Sequence, residues 1–201
     1  MNNQTEPTVQ AGTNAIHRLM NRDDVRAAAF KLRYPLSVVV LLVIAWFANP
    51  EWFWIGLGTS VVGELLQVWC FACLQKNLIL TMRGPYLLVR NPMYLGRYLL
   101  ILGVVILTGS WIAIAAYTVL YYLYMYNRVI REEVRLAASF GHDLQHYYSR
   151  VNRFVPGAGL FNRLDFFFFD WQLFLKNNAH WNLLSVVVMY GFIYLYLFTL
   201  R

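Results

Sequence analysis

Long apolar runs separated by short polar breaks dominate the pattern along the chain. The runs cover approximately residues 35–48, 52–74, 93–108, 111–127 and 181–200. A helix needs about 20 mostly apolar residues to cross the hydrocarbon core of a bilayer, so we expect about five transmembrane helices. Residues 49–51 ("NPE") and 109–111 ("GSW") are short enough for tight turns. The pattern therefore predicts an all-α integral membrane protein.

The segments outside these runs are of different kinds. Residues 1–13 are polar and without periodicity, which predicts disorder. Residues 14–34 space their apolar positions on one helix face, as in an interfacial helix or a solvated one. Residues 128–157 are amphipathic and charged. The stretch "LFNRLDFFFFDWQLFLKNN" is aromatic but interrupted by two aspartates, which favours an interfacial or re-entrant segment over a full span.

Three regions follow from this division. Residues 1–34 form a polar tail with an interfacial helix, residues 35–157 form the membrane core, and residues 158–201 add an aromatic interfacial segment and a last transmembrane helix. No internal repeat is evident.

Composition and charge place the chain in a membrane and orient it. Hydrophobic residues make up 59% of the chain and charged residues 13%, whereas soluble domains carry about 25% charged residues. The net charge is +7, and the breaks at 49–51 and 108–111 contain no Lys or Arg. The positive-inside rule therefore puts the basic segments and the N-terminus in the cytoplasm, within the inner membrane of a bacterium or an endoplasmic reticulum-type membrane of a eukaryote. Because topology explains the basic residues, we expect no nucleic-acid partner.

The two cysteines give no sign of a disulfide framework or a metal site. Cys70 and Cys73 lie three residues apart inside one apolar run, and there is no second pair. Disulfide-rich folds and zinc sites need more thiols or histidines at set spacings. The sequence predicts no metal ligand.

The first polar cluster is the stretch "RGPYLLVRNPMYLG" at residues 83–96. Pro92 suits the first turn of the third span, with Asn91 as its N-cap. The amide groups and positive dipole end of that helix can hold an anionic group such as a carboxylate, and Arg90 and Arg97 add positive charge. Any helix that follows a basic loop begins in a similar way, so this cluster alone does not establish a site.

Two further sets of polar residues are candidates. Glu132 and Glu133 follow the fourth span and fall on the same membrane side as Asn91, although a surface ion pair of Glu132 with Arg135 is an alternative role. A ligand with a carboxylate, an amine and sugar hydroxyls would satisfy both clusters, and S-adenosylmethionine is such a ligand. Glu64 lies inside the second span, where a charge is costly and a functional candidate by default. It is expected to accept hydrogen bonds from the 83–92 loop or to form a polar helix–helix contact.

These clusters carry a family resemblance. "GPYLLVRNPMYLG" and the later "REEVRLAASFGHDLQHYYSRVNRFVP" resemble the linked motifs of the isoprenylcysteine carboxyl methyltransferases and the related membrane phospholipid methyltransferases. The matching positions are Gly84, Pro85, Tyr86, Arg90, Pro92, Tyr94 and Gly96, then Glu132, Glu133, Leu136, Phe140, Gly141, Tyr147, Arg150, Val151 and Pro156. Asn91 replaces the usual His and cannot shuttle protons near neutral pH. Leu144 and Asn152 replace the usual Tyr and Pro.

The resemblance implies a cytoplasmic S-adenosylmethionine pocket formed by the start of the third span and the segment after the fourth. The cofactor-binding residues it implies are Tyr86, Arg90, Asn91, Pro92, Tyr94, Leu95, Gly96, Glu132 and Glu133. Arg150, with Arg153 as a substitute, is the candidate for orienting the acceptor, and Glu64 is a further catalytic candidate.

The implied function is methyl transfer from S-adenosylmethionine to a membrane lipid or lipidated acceptor, through its carboxylate or amine. Two alternatives stay open. Membrane sterol-type reductases share a similar "RHPxY" start but use NADPH and carry "NYFGE" where this chain has "MYLGR". A non-enzymatic scaffold or transporter would explain the spans and the basic loops but not the matched pair of motifs.

Overall fold

The computed structural model describes residues 31, 39, 42–44, 46–75, 80–153 and 165–200. The chain divides into two compact units, residues 1–46 and 47–201. Few residues of the first unit are described, and those are helical. The predictions for residues 1–34 therefore lie almost wholly outside the described residues, as does much of the first span. The proposed region boundaries at residues 34 and 157 stay predictions.

The second unit is built from helices, and its described residues include no strand. The helices are α1 (Phe53–Cys73), α2 (Pro92–Ile106), α3 (Trp111–Arg150), α4 (Trp171–Lys176) and α5 (Ala179–Leu195). Short 3-10 turns occupy Pro50–Trp52 and Gly84–Leu87, and a π-helical turn, Tyr196–Leu200, extends α5. The all-helical prediction is confirmed for the described residues.

Two of the described helical segments have the length and apolar composition needed to cross a membrane. They are Pro50–Cys73 and Ala179–Leu200, and α2 is a shorter apolar helix of fifteen residues. These segments correspond to the second, fifth and third predicted spans, and the fourth forms the first part of α3. The five-span count stays a prediction.

Local signals set the beginnings of these helices. The Asn49 side chain accepts a hydrogen bond from the Glu51 amide at 3.0 Å, ahead of the turn that leads into α1. Ser110 caps α3 by accepting from the Ala113 amide at 3.3 Å. Gly109, at φ 63°, forms the turn between α2 and α3. The tight turn expected from "GSW" is therefore present.

Small residues allow α1 and α2 to pack closely. A Cβ atom on Gly63 would lie 2.4 Å from the Leu100 amide nitrogen, and one on Gly103 would lie 2.3 Å from the Gly56 carbonyl oxygen. Ser60 donates a hydrogen bond to the Leu100 carbonyl oxygen at 2.7 Å. Interfaces of small residues with polar cross-links are typical of membrane helices. This contact fixes the start of α2, where the first polar cluster lies.

The last helix packs against α1 through buried polar groups. The Tyr190 hydroxyl lies 2.6 Å from the Ser60 hydroxyl and donates to the Gly56 carbonyl oxygen at 3.2 Å. Nearer the other end of α1, Asn182 donates to both carboxylate oxygens of Glu64 at 2.9 Å. Helix α5 therefore runs antiparallel to α1 and satisfies its buried polar residues.

Helix α3 continues well beyond the predicted end of the fourth span at residue 127. It extends to Arg150 with a kink at Gly141, where φ is 44° and ψ is −113°. No proline or glycine interrupts the helix between residues 111 and 140, so the change from apolar to charged residues marks a change of surroundings rather than a helix end. The kink turns the last part of α3, and Tyr147 and Val151 reach the loop before α2.

The segment before α5 contacts the C-terminal end of α1. Asn177 donates to the carbonyl oxygens of Phe71 and Leu74 at 2.8 and 2.9 Å, which caps the helix end. The Gly84 amide donates to the Asp165 carbonyl oxygen at 2.9 Å, and the Arg83 guanidinium lies 4.3 Å from the centre of the Phe168 ring. Residues 165–178 thus hold the beginning of the loop that leads to the first polar cluster.

Candidate functional site

The two polar clusters predicted from the sequence line one cavity. Its volume is about 450 Å³, and its walls come from the end of α1, the 80–97 segment and residues 128–148 of α3. Six of the nine predicted cofactor residues line it: Tyr86, Arg90, Asn91, Tyr94, Glu132 and Glu133. Small-molecule sites commonly enclose about 300–1,000 Å³. The cavity is therefore large enough for a ligand of cofactor size.

Arg90 joins the loop before α2 to the end of α3. Its Nε donates to the Val151 carbonyl oxygen and its Nη2 to that of Tyr148, both at 2.7 Å. Its guanidinium also lies 4.0 Å from the centre of the Tyr148 ring, and its backbone amide donates to the Asn152 carbonyl oxygen at 2.9 Å. Most of its donors are thus committed to protein groups, which makes Arg90 a clamp between the two walls of the cavity.

Glu133 is held by two arginines. Arg153 forms a bidentate pair with it, at 3.0 Å to Oε1 and 2.6 Å to Oε2, and Arg90 Nη1 lies 3.7 Å from Oε1. The hydrogen bonds to Glu133 raise the pKa of the Arg153 guanidinium, which therefore stays charged. The acceptor-orienting candidate Arg153 is thus placed against Glu133, outside the cavity lining.

Glu132 faces the cavity beside Tyr94. The Tyr94 hydroxyl donates to Glu132 Oε2 at 2.7 Å, and the Tyr121 hydroxyl donates to the Tyr94 carbonyl oxygen at 2.7 Å. Arg97 and Arg128 also line the cavity. Because Tyr94 supplies one hydrogen bond to Glu132, the carboxylate keeps further lone pairs for a ligand.

The side chains of Tyr86, Tyr147 and Tyr148 complete the wall of the polar cavity. The Tyr147 hydroxyl donates to the Tyr86 carbonyl oxygen at 2.7 Å, which joins α3 to the loop a second time. Burial raises the pKa of Tyr148 to about 12, and burial also raises the pKa of Tyr86 and Tyr147 above the ordinary value. All three side chains are protonated at neutral pH, so they can donate hydrogen bonds but do not act as bases.

Asn91 occupies the N-cap position of α2, but its side chain makes no capping hydrogen bond. The predicted N-cap position of Asn91 is therefore confirmed, but its side chain does not cap the helix, and the backbone, with ψ at 55°, departs from the extended geometry of an ordinary N-cap. Its Nδ2 is buried without a hydrogen-bond partner among the described residues. Asn91 also lines a second, apolar cavity of about 270 Å³ between α2 and α3.

Some predicted site residues lie elsewhere. A Cβ atom on Gly96 would lie 2.8 Å from Gln67 Cγ, so Gly96 faces α1 and serves the helix contact. Leu95 lines the apolar cavity rather than the polar one. Pro92 is buried at the first turn of α2. Arg150 is exposed at the end of α3 and does not line either cavity.

The prediction that Glu64 accepts hydrogen bonds from the 83–92 loop is wrong. Glu64 is only 2% exposed, and its described partners are Asn182, at 2.9 Å, and Gln67, at 3.5 Å. The alternative expectation of a polar helix–helix contact is the one realised. Asn182 lies 118 residues away in the sequence, so local spacing gave no sign of the pairing.

The sequence missed other cavity residues. Tyr148 supplies a ring beside Arg90 and, through its carbonyl oxygen, one of the Arg90 hydrogen bonds. Leu136, Phe140 and Tyr147 are motif positions that were assigned no role, yet they line the cavity. Their spacing along α3 gave the signal, since residues three or four apart share a helix face.

The cavity can bind a zwitterionic ligand with an aromatic portion. Arg97 and Arg128 can attract a carboxylate, Glu132 can accept from an ammonium or hydroxyl group, and Phe140 and Tyr148 offer apolar faces. Among the described residues, no group of three or more His, Cys, Asp or Glu side chains is placed to hold a metal ion.

Comparison with known proteins finds one matching family model and several relatives. Residues 52–143 match the phospholipid methyltransferase family model. The cobalt-zinc-cadmium resistance protein CzcN of Cupriavidus metallidurans is 35% identical over 139 residues, which are 67% of this chain and 62% of that protein. The nickel-cobalt-cadmium resistance protein NccN of Alcaligenes xylosoxydans xylosoxydans is 30% identical over 138 residues, 64% of each chain.

A more distant relative carries a methyltransferase name. The protein-S-isoprenylcysteine O-methyltransferase of Schizosaccharomyces pombe is 27% identical over 81 residues, 40% of this chain and 34% of that protein. No solved structure matches. The chain spans less than two thirds of the length of the two resistance proteins. The family-model match over residues 52–143 includes the first motif and the beginning of the second, which supports the resemblance that the two motifs carry.

Proposed function

We propose that this protein is an S-adenosylmethionine-dependent integral membrane methyltransferase acting on a lipid-like or prenylated acceptor. The single observation that carries the proposal is the cavity of about 450 Å³ in which the two family motifs meet. The family match supports the reaction class, and the apolar helices support a membrane location.

The residues of the cavity fit the cofactor. S-adenosylmethionine presents a carboxylate, an ammonium group, ribose hydroxyls and an adenine ring. Arg97 and Arg128 match the carboxylate, Glu132 matches the ammonium or hydroxyl groups, and the Phe140 and Tyr148 rings match the adenine. When bound, the cofactor supplies an electrophilic methyl group on a sulfonium.

The chain's own residues would act by positioning and by excluding water. Arg90 and the Arg153–Glu133 pair hold the end of α3 against the loop before α2, which closes one side of the cavity. Alignment of reactants supplies much of the acceleration of such displacements. A carboxylate acceptor needs no base, whereas an ammonium must first lose a proton.

The second cavity gives a lipidic acceptor a place to bind. It lies between α2 and α3, its lining is mostly apolar, and it shares Asn91 with the polar cavity. An acceptor chain could enter sideways from the bilayer while the cofactor arrives from the cytoplasm, the side to which the positive-inside rule assigns the basic residues of the site. The names of the two related resistance proteins state no reaction, so they do not contradict a methyltransferase function.

The test is transfer of tritium from S-adenosyl-[methyl-³H]methionine into a total lipid extract by the purified protein. Chromatography of the extract should show a labelled lipid, formed about tenfold more slowly by Glu132→Gln than by wild type at a cofactor concentration below the Kd. A labelled product made from tritiated NADPH instead, with none from the labelled methyl donor, would establish the sterol-type reductase. Transfer from neither donor, by folded protein, would favour a scaffold or transporter.

A further inference from the structure

The short helix α4 carries apolar side chains on its outer side as well as on its inner side. Phe174 is buried against Ala72 and Ala179, whereas Trp171 and Leu175 are 68% and 55% exposed. Residues four positions apart lie on one face of a helix, so Trp171 and Leu175 form an exposed apolar face. Neighbouring large apolar side chains on a surface indicate contact with another apolar medium.

A polar face lies next to this apolar face. Gln172 and Lys176 are also four positions apart, and both are exposed. Phe167, in the turn before α4, is 82% exposed and adds a further apolar side chain. Helices that lie in the plane of a membrane interface combine an apolar face containing Trp, Phe or Leu with a polar face containing Lys. The exposed side of α4 therefore has the composition of a membrane-interface surface.

The position of α4 beside the apolar helices agrees with this composition. Lys176 ends α4 three positions before the segment Ala179–Leu200, which is long and apolar enough to cross a membrane. The Asp170 amide donates to the Ala72 carbonyl oxygen at 3.2 Å, which places the start of α4 beside the end of α1. Helix α4 thus lies where one apolar helix ends and the next begins. This is the level of a bilayer at which Trp is enriched.

The inner side of the same segment holds the loop before α2. The Phe168 carbonyl oxygen accepts a hydrogen bond from Trp69 Nε1 at 3.0 Å, which fixes the segment to α1. The Asp165 carbonyl oxygen accepts from the Gly84 amide at 2.9 Å. Gly84 begins the 3-10 turn that leads the chain towards Arg90 and the polar cavity. One segment therefore joins the exposed apolar face to the loop that carries site residues.

We propose that residues 165–178 form a strap that binds the membrane interface and thereby stabilises the loop before α2. The partner is the lipid bilayer, at the boundary between headgroups and acyl chains. The inference rests on the membrane location in the proposed function but on no step of the reaction. The strap lies beyond the family-model match over residues 52–143. When its outer face loses contact with lipid, the strap loosens, and the loop that carries Arg90 is held less firmly.

Spin labels on the full-length protein in lipid nanodiscs test the orientation of α4. Power saturation compares collisions of each label with oxygen, which dissolves in lipid, and with a water-soluble nickel chelate. The label of Leu175→Cys should meet mainly oxygen, and that of Gln172→Cys mainly the chelate. Val187→Cys, at a 60% exposed position of α5, is the lipid reference, and Gln145→Cys, at an exposed position of α3, is the water reference. Both native cysteines are fully buried, so wild type treated in the same way measures background labelling.

Hydrogen exchange in nanodiscs tests the link between the strap and the loop. Leu175→Gln removes an apolar side chain from the outer face and leaves the hydrogen bonds of the strap in place. Exchange of the Gly84 amide should become about fivefold faster in this variant. Leu175→Phe keeps an apolar side chain, so exchange should stay within about twofold of wild type. Gln172→Ala is the matched control on the polar face and should also leave exchange unchanged.

Three results would overturn the inference. The first is a Leu175→Cys label that meets the nickel chelate as often as the Gln172→Cys label does. The second is dipolar broadening of the Leu175→Cys label, which would show a second copy of the chain against this face. The third is unchanged exchange of the Gly84 amide in Leu175→Gln. A Val187→Cys label that is itself open to water would instead overturn the membrane location in the proposed function, and the inference with it.

Discussion

Replacement of Arg90 by lysine should loosen the end of α3 from the loop before α2. The guanidinium donates to the carbonyl oxygens of Val151 and Tyr148, each at 2.7 Å, and lies over the Tyr148 ring. A hydrogen bond to a charged group contributes about 1.5–3 kcal/mol. A lysine ammonium is a single compact charge and can keep at most one of the two bonds. Because Arg90 is partly exposed, we expect a loss of about 2 kcal/mol, near the lower end of this range.

Hydrogen exchange measures this local loss directly. The Val151 amide, which donates to the Tyr147 carbonyl oxygen at 3.1 Å, should exchange about 30-fold faster in Arg90→Lys, the factor that corresponds to about 2 kcal/mol. Arg131→Lys is the matched control, because Arg131 is an exposed residue of the same helix whose Nε makes a 3.3 Å bond to the Asn127 carbonyl oxygen. Equal protection of Val151 in both variants would refute the role of Arg90 as a clamp.

Three further substitutions test the fold and the site. Gly103→Ala would place a Cβ atom 2.3 Å from a carbonyl oxygen of α1, so it should destabilise the protein by about 1–3 kcal/mol in thermal unfolding; Gly58→Ala, where a Cβ meets nothing within 4 Å, is the control and should be tolerated. Gly141→Ala creates no clash but strains a residue at φ 44°, so it should cost about 1–3 kcal/mol and increase protease cleavage near the kink; unchanged cleavage would argue against a fixed kink. Glu132→Gln keeps an acceptor for the Tyr94 hydroxyl but removes the charge, so calorimetry should show about tenfold weaker S-adenosylmethionine binding, and unchanged affinity would place the cofactor elsewhere.

The helices with clear boundaries could be predicted from the sequence. The second run, predicted as 52–74, is helix Phe53–Cys73, and the third, predicted as 93–108, is Pro92–Ile106. Asn49 and Pro50 precede the first of these runs, and Asn91 and Gly109 flank the second, so the pattern and the backbone agree at these boundaries. Helix α3 was not predicted to continue because its residues become charged at Arg128 without any residue that breaks a helix. Hydrophobicity reports the surroundings of a helix, whereas the backbone ends or bends where conformation demands it, here at Gly141.

The meeting of the two clusters could be predicted, but the partners within it could not. The motifs named Arg90 and Glu133 as ligand-binding residues. In the structure, Arg90 donates to the carbonyl oxygens of Tyr148 and Val151, which lie 58 and 61 positions further along the chain, and Glu133 pairs with Arg153. Such pairings depend on how the kinked end of α3 returns to the loop. The unpartnered amide of Asn91 could not be foreseen for the same reason, since Asn before Pro is an ordinary capping signal.

Isothermal titration of the purified protein with S-adenosylmethionine tests the central claim most directly. The cavity built by the two motifs predicts saturable binding in the micromolar range to wild type, weakened by Glu132→Gln. Folded wild-type protein that gives no heat of binding and shows no stabilisation against thermal unfolding by the cofactor would contradict the claim that these motifs form its site.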